Sequence, residues 1–169
     1  MILQARTIGL LGVLMLALLM TACGFHLRGE VNIPPQLQTL TLSLDSGSAE
    51  FNRDLRIALA KAGINIVEGE PTADLYQLKV NPISSSDTVM ARASDNDVTQ
   101  VERRISAIYF IRDEQGKALW GPRTISTSIM LNNQDAEQSV KAAYNNEQMR
   151  RAGSLLANEL LYDLNYAPL

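Results

Sequence analysis

Two long alternating runs joined by a four-residue turn constrain this chain more than any other feature. Val98 to Arg112 sets Ile105, Ala107, Tyr109 and Ile111 on one side and Ile108 and Phe110 on the other, in a stretch rich in β-branched and aromatic residues. Asp113-Glu114-Gln115-Gly116 is a hairpin turn. Ala118 to Leu131 is its partner, with Ile125, Thr127, Ile129 and Leu131 on one face and Ser126 and Ser128 on the other. Gly121-Pro122 breaks that second run near its start and predicts a bulge or an edge irregularity.

The rest of the chain supplies material to pack against this hairpin. Pro34-Pro35 ends an extended lead-in over residues 23–35. Gln36 to Leu44 then alternates, and Leu40, Leu42 and Leu44 give it one apolar face. Asp45-Ser46-Gly47-Ser48 is a turn that also offers helix-capping side chains. Phe51, Leu55, Ala58, Leu59 and Ala62 make a single stripe and predict a helix over 49–62, stopped by Gly63. Ile64 to Val67 is a short strand or an extended exit. Asp74 to Ile83 alternates again through Tyr76, Leu78 and Val80, and Pro82 marks an edge or an end of regular pairing. Ser84 to Asp87 reads as a loop, with Thr88 to Arg92 extending the strand beyond a bulge, and Asp95-Asn96-Asp97 is the next turn.

Asn145 followed three residues later by Gln148 is a capping-box-like start for the last helix. Met149, Ala152, Leu156, Leu160 and Leu164 form its stripe, widened by Leu155 and Leu161, while residues 134–144 fit a helix or an irregular connection equally. The expected fold is α+β: a two-layer sandwich with a largely antiparallel sheet of four to five strands and two helices on one face, in one domain over 36–169.

Composition narrows the function. His26 is the one histidine and Cys23 the one cysteine, which excludes a histidine-based triad, a cysteine-based metal site and an intrachain disulfide. Ser86-Asp87 and Ser94-Asp95 read as turn residues without a base beside them, so neither an enzyme nor a cofactor is expected. The formal charge of −3 gives no reason to expect nucleic acid. An anionic lipid would need a local basic cluster, and Arg92, Arg103, Arg104, Arg123 and Lys141 gather in the second half, where guanidinium forks suit phosphate oxygens.

The first 22 residues have the layout of a secretory signal. Arg6 is their single charge, and Ile8 to Met20 is an uninterrupted apolar run too short to span a hydrocarbon core comfortably. Small residues and then Cys23 follow, and Leu19-Met20-Thr21-Ala22-Cys23 resembles the lipobox of bacterial lipoproteins. The resemblance implies that Cys23 is acylated and becomes the mature N-terminus, which also removes a lone thiol from an oxidising compartment. Removing residues 1–22 from 169 leaves 147, and with only Arg6 lost the mature charge is −4. Several acyl chains hold a protein firmly where one holds it marginally. Gly24 is not the aspartate that retains enteric lipoproteins in the inner membrane, so the outer membrane is expected.

Cys23-Gly24-Phe25-His26-Leu27-Arg28-Gly29 also resembles the mature start of the LptE family, the lipopolysaccharide-assembly lipoproteins. Asp87-Thr88 with Arg92 soon after, and Asn146-Glu147-Gln148 opening the final helix, resemble later landmarks of that family. The resemblance implies the α+β fold above and an outer-membrane lipoprotein that plugs and helps assemble the LptD β-barrel as a heterodimer. It further implies binding of lipopolysaccharide by basic residues near the tip of the sheet. Arg92 stands where one of these would be carried over, and Lys141 lies a few residues before the place of another. Polar strand faces such as Ser126-Ser128 and Thr99-Glu102 suit a polar barrel lumen. The rival reading is a lipoprotein accessory to another outer-membrane machine, either a barrel-insertion complex or a secretin pilot.

Overall fold

The computed structural model describes residues 32–69, 75–132 and 138–169. Among them, after a 3-10 turn at Pro35–Leu37, six strands and two α-helices run in the order β1 (Thr39–Leu44), α1 (Ala49–Lys61), β2 (Asn65–Val67), β3 (Tyr76–Val80), β4 (Ser84–Arg92), β5 (Val98–Arg112), β6 (Ala118–Asn132) and α2 (Gln138–Leu164). The expected anchor at Cys23 lies outside the described residues.

The predicted hairpin is the spine of the sheet. β5 and β6 pair antiparallel from Gln100↔Asn132 to Arg112↔Ala118. The register shifts where Tyr109 faces Arg123 and Ile111 faces Trp120, so Gly121-Pro122 does form the expected irregularity. Gly121 has φ +111°, and a Cβ there would stand 2.8 Å from the Tyr109 carbonyl oxygen; only glycine fits. β3 and β4 lie end to end along the other edge of β5, pairing Leu78↔Ile111 and then Ser84↔Ser106 through Arg92↔Val98. Between them Asn81 donates its N–H to the Ile108 carbonyl at 2.8 Å, and the register slips by one residue.

Two expectations about the sheet are corrected. It is mixed, with six strands: β1 runs parallel to β2 through Leu40↔Ile66 and parallel to β3 through Leu42↔Leu78. Period-two patterns are the same for either direction of pairing. The deciding element is α1, which carries the chain back over the sheet so that β2 enters in the direction of β1. Ser84 to Asp87 are strand and not loop. Their serines pair along an edge with Ser106, Ile105 and Arg104, and this ladder overrides their weak strand propensity. Every β4 residue except Ala91 is exposed, so neither face of this strand is covered.

Both helices sit on one face. Ile105, Ala107, Tyr109 and Ile111 of β5, Ile125 and Ile129 of β6, and Leu40, Leu78 and Val80 meet Phe51, Leu55, Ala58 and Leu59 of α1 and Leu156, Leu160 and Leu164 of α2. Each fully buried leucine, isoleucine, valine or phenylalanine among them contributes about 1.5–3 kcal/mol relative to exposure. α1 starts as predicted, with the Phe51 N–H donating to Ser48 Oγ at 3.2 Å. Gly63 follows it at φ +82°.

The last helix departs from the expectation at its start and on one side. It begins by Gln138, so Asn145 lies inside it and Asn146-Glu147-Gln148 do not open it. Met149 and Leu155 are each 42% exposed, and the buried stripe runs through Ala152, Leu156, Ala157, Leu160, Leu161 and Leu164. The stripe follows α1, which crosses close by: a Cβ on Gly153 would lie 3.4 Å from the Phe51 backbone nitrogen.

Candidate functional site

Strand register divides the candidate cations between two faces. Odd-numbered residues of β5, and of β6 from Arg123 onward, face the helices, and every buried residue of these strands is odd-numbered. Before the bulge β6 has the opposite parity, so Trp120 joins the helix side, while the even-numbered residues of β5 and of β6 from Thr124 onward make the opposite face. There Ser84, Ser106 and Ser126 lie in one cross-strand row and Ser86, Arg104 and Ser128 in the next. Arg104 donates through Nη2 to Ser126 Oγ at 3.1 Å. Thr99 and Glu102, of opposite parity, fall on different faces and do not share one polar surface.

Arg103 points to the helix side. It holds Asp87 with both arms, Nε to Oδ1 and Nη2 to Oδ2, each at 2.7 Å. The two residues are direct cross-strand partners. Hydrogen bonding from the Arg103 fork holds the Asp87 carboxyl below its usual range, and the carboxylate in turn raises Arg103. The pair stands at a cleft of about 230 Å³ lined also by Val101, Leu131, Asn132 and Asn145.

Arg123 serves the body of the fold. Its fork grips Asp163 near the end of α2, Nε to Oδ2 at 3.0 Å and Nη2 to Oδ1 at 2.6 Å, while its guanidinium carbon lies 5.0 Å from the Trp120 ring centroid. The Tyr109 hydroxyl donates to the same Asp163 Oδ2 at 2.7 Å from a fully buried ring, and that ring meets Trp120 edge-on at 5.7 Å. Hydrogen bonding from Arg123 holds the Asp163 carboxyl low, and burial followed by the Asp163 hydrogen bond pushes the Tyr109 hydroxyl up.

Arg92 closes the turn between β4 and β5, donating from Nη1 to the Asn96 carbonyl at 2.8 Å, with Asn96 itself at φ +73°. Lys141 is half-buried in the first turns of α2. The five candidate cations therefore do not form one patch. Arg92 lies at the end of β4 and Arg103 in mid-strand on the helix side, Arg104 lies on the serine face, and Arg123 is engaged near the end of α2. Sequence reading missed Asp87, Asp163 and Asn145 as their partners or neighbours. Asp87 was findable once 84–92 and 98–106 are paired about the Asp95-Asn96-Asp97 turn. Asp163 is 40 residues from Arg123 and carries no local signal.

Among the described residues no three His, Cys, Asp or Glu come together to hold a metal, and no helix is long and apolar enough to cross a membrane. Ser86 and Asp87 are successive strand residues and point to opposite faces.

The fold defines the class: an open α+β domain with two helices on one face of a mixed six-stranded sheet. The crystal structure of a minor lipoprotein from Acinetobacter baumannii has the same fold, with a TM-score of 0.64 at 18% identity over 76% of this chain and 91% of that one. In sequence the chain is similar to the LPS-assembly lipoprotein LptE of Pectobacterium atrosepticum, 43% identical over 77 residues that cover 45% of this chain and 41% of that protein. It is also 38% identical over 66 residues to the LPS-assembly lipoprotein LptE of Yersinia enterocolitica, covering 38% and 32% of the two chains. The chain thus spans well under half the length of these curated relatives in the matched region. No family model matches it. The resemblance to LptE read from the sequence is borne out by these relatives.

Proposed function

We propose that this chain is a member of the LptE family. It is an outer-membrane lipoprotein anchored through Cys23, which plugs and helps assemble the LptD barrel and binds lipopolysaccharide on its way to the cell surface. The observation that carries this reading is the 43% identity over 77 residues to a protein named LPS-assembly lipoprotein LptE. It works by binding, without turnover or cofactor.

Two surfaces support the reading. The serine rows on β4, β5 and β6 offer a flat hydroxyl-bearing face that suits the polar interior of a barrel. The outer side of α2 carries Val140, Tyr144, Leu155 and Tyr162, all at least 42% exposed. Tyrosines of this kind give apolar contact area with a polar tip, which fits a wall of mixed character. Arg92 at the end of β4 and Lys141 on α2 are the first candidates for headgroup phosphates, with Arg103, Arg104 and Arg123 behind them.

Depleting the chain from its host tests the reading. Lipopolysaccharide reaching the outer surface should fall as the chain is lost, before other outer-membrane proteins decline. Unchanged surface lipopolysaccharide, or a general loss of all barrels first, is the result expected of a barrel-insertion accessory instead.

A further inference from the structure

Among the described residues two aspartates are held by an arginine fork with one carboxylate oxygen to each arm, and the two pairs are built differently. Asp163 has a side-chain exposure of 16% and a second donor, the hydroxyl of fully buried Tyr109. Asp87 has an exposure of 44%, and Arg103 is the one side chain hydrogen-bonded to it among the described residues. The first pair ties α2 to the sheet. The second joins neighbouring strands that their backbone ladder already holds together, from Ser84↔Ser106 to Arg92↔Val98. It therefore adds little to the fold, as exposed pairs generally do.

The second pair opens onto the cleft, and the cleft offers more than charge. Val101 and Leu131 give it apolar lining, and Asn132 and Asn145 complete its wall. A phosphate monoester presents two oxygens to a guanidinium fork with the same geometry as a carboxylate, and with more negative charge. We infer that Asp87 is a displaceable stand-in: it occupies the Arg103 fork until a phosphate-bearing group entering the cleft between β4, β6 and α2 takes the fork from it. Val101 and Leu131 then meet the apolar atoms next to that phosphate. This deepens the reading of the chain as a lipopolysaccharide-binding LptE relative and rests on it.

The exchange makes an unusual demand on mutants, because removing an acid must strengthen binding. The full chain in detergent, as wild type, Asp87→Asn, Asp87→Ser and Arg103→Gln, would be titrated with bisphosphorylated lipid A and, separately, with inorganic phosphate. Thermal melting of each variant serves as the folding control. Both Asp87 variants should bind lipid A several-fold more tightly than wild type, and Arg103→Gln about tenfold or more weakly, as expected for loss of a hydrogen bond to a charged group. Inorganic phosphate should follow the same order at far higher concentrations. Equal or weaker lipid A binding by both Asp87 variants with unchanged melting would overturn the exchange. If lipid A binds none of the proteins while phosphate keeps the order, the exchange stands and the lipopolysaccharide reading falls. Binding of neither probe to the Asp87 variants rejects the site.

Discussion

Asn145, a residue inside helix α2, completes the end of strand β6 by pairing with both backbone groups of Asn132. Its Oδ1 accepts the Asn132 N–H at 3.1 Å, and its Nδ2 donates to the Asn132 carbonyl at 3.2 Å. A side-chain amide thus does what a neighbouring strand residue would do, and it fixes the first turns of α2 beside the cleft that holds Asp87 and Arg103. Asn145→Ala should leave the Asn132 groups without these partners and lower stability by about 1–3 kcal/mol. Chemical denaturation of the two proteins measures it, and hydrogen exchange should localise the loss to the Asn132 amide.

Stability should form a plateau in pH with two assignable edges. Asp163 has a folded value below its ordinary 3.8, so its contribution is fully present above that value and is lost as pH falls through the lower folded value. Tyr109 has a folded value above its ordinary 10.0, so its contribution is full below 10.0 and is lost as pH rises further. Glu147, held below its ordinary 4.5 by its hydrogen bond from Arg150, adds a loss that starts below 4.5, so melting temperature should be flat between 4.5 and 10.0. Tyr109→Phe should lower the plateau by about 1–2 kcal/mol and flatten the alkaline edge. An alkaline edge unchanged in that variant would mean that another group sets it.

Gly153 lies at a close approach of the two helices. A Cβ there would lie 3.4 Å from Phe51 N and 3.6 Å from Phe51 Cα, which is ordinary contact distance. Gly153→Ala should therefore be neutral or stabilising by up to about 1 kcal/mol, the usual helix preference for alanine. Gly153→Leu places further atoms beyond that contact and should cost about 1–3 kcal/mol by pushing α1 away. Melting of the pair decides it, and equal tolerance of both changes would show that the helices are not in contact there.

How much of this was legible in the sequence depends on the range of the interaction. The β5–β6 hairpin, the α1 cap at Ser48 and the Gly121 bulge are decided by neighbours in the chain, and their patterns are plain. Parallel pairing of β1 is decided by the path of α1 and leaves no local trace. Asn145 shows the same limit from another side. An asparagine that seeks backbone partners is a good sign of a helix start, but here the end of a distant strand satisfies it and the helix has already begun. The basic residues were found as residue types. Their roles came from register, which puts Arg103 and Arg104 on opposite faces, and from Asp163, which engages Arg123 from the far end of the chain.

For the ligand, charge reversal at Arg92 and Lys141 together should weaken lipopolysaccharide binding about tenfold or more while the protein still folds and melts cooperatively. Arg53, paired with Asp54 on α1, and Lys61 at the end of that helix provide the control pair. Equal losses from both double reversals would mean general attraction to an anionic lipid and no site near the end of β4.

The most direct test of the central claim is recovery of the partner. The full chain, tagged at its C-terminus and extracted from outer membranes in mild detergent, should bring down LptD in about equal amount. That complex should survive the Arg92 and Lys141 reversals, because those residues are assigned to the lipid and not to the barrel. Recovery of a different barrel or a secretin, with LptD absent, would contradict the account.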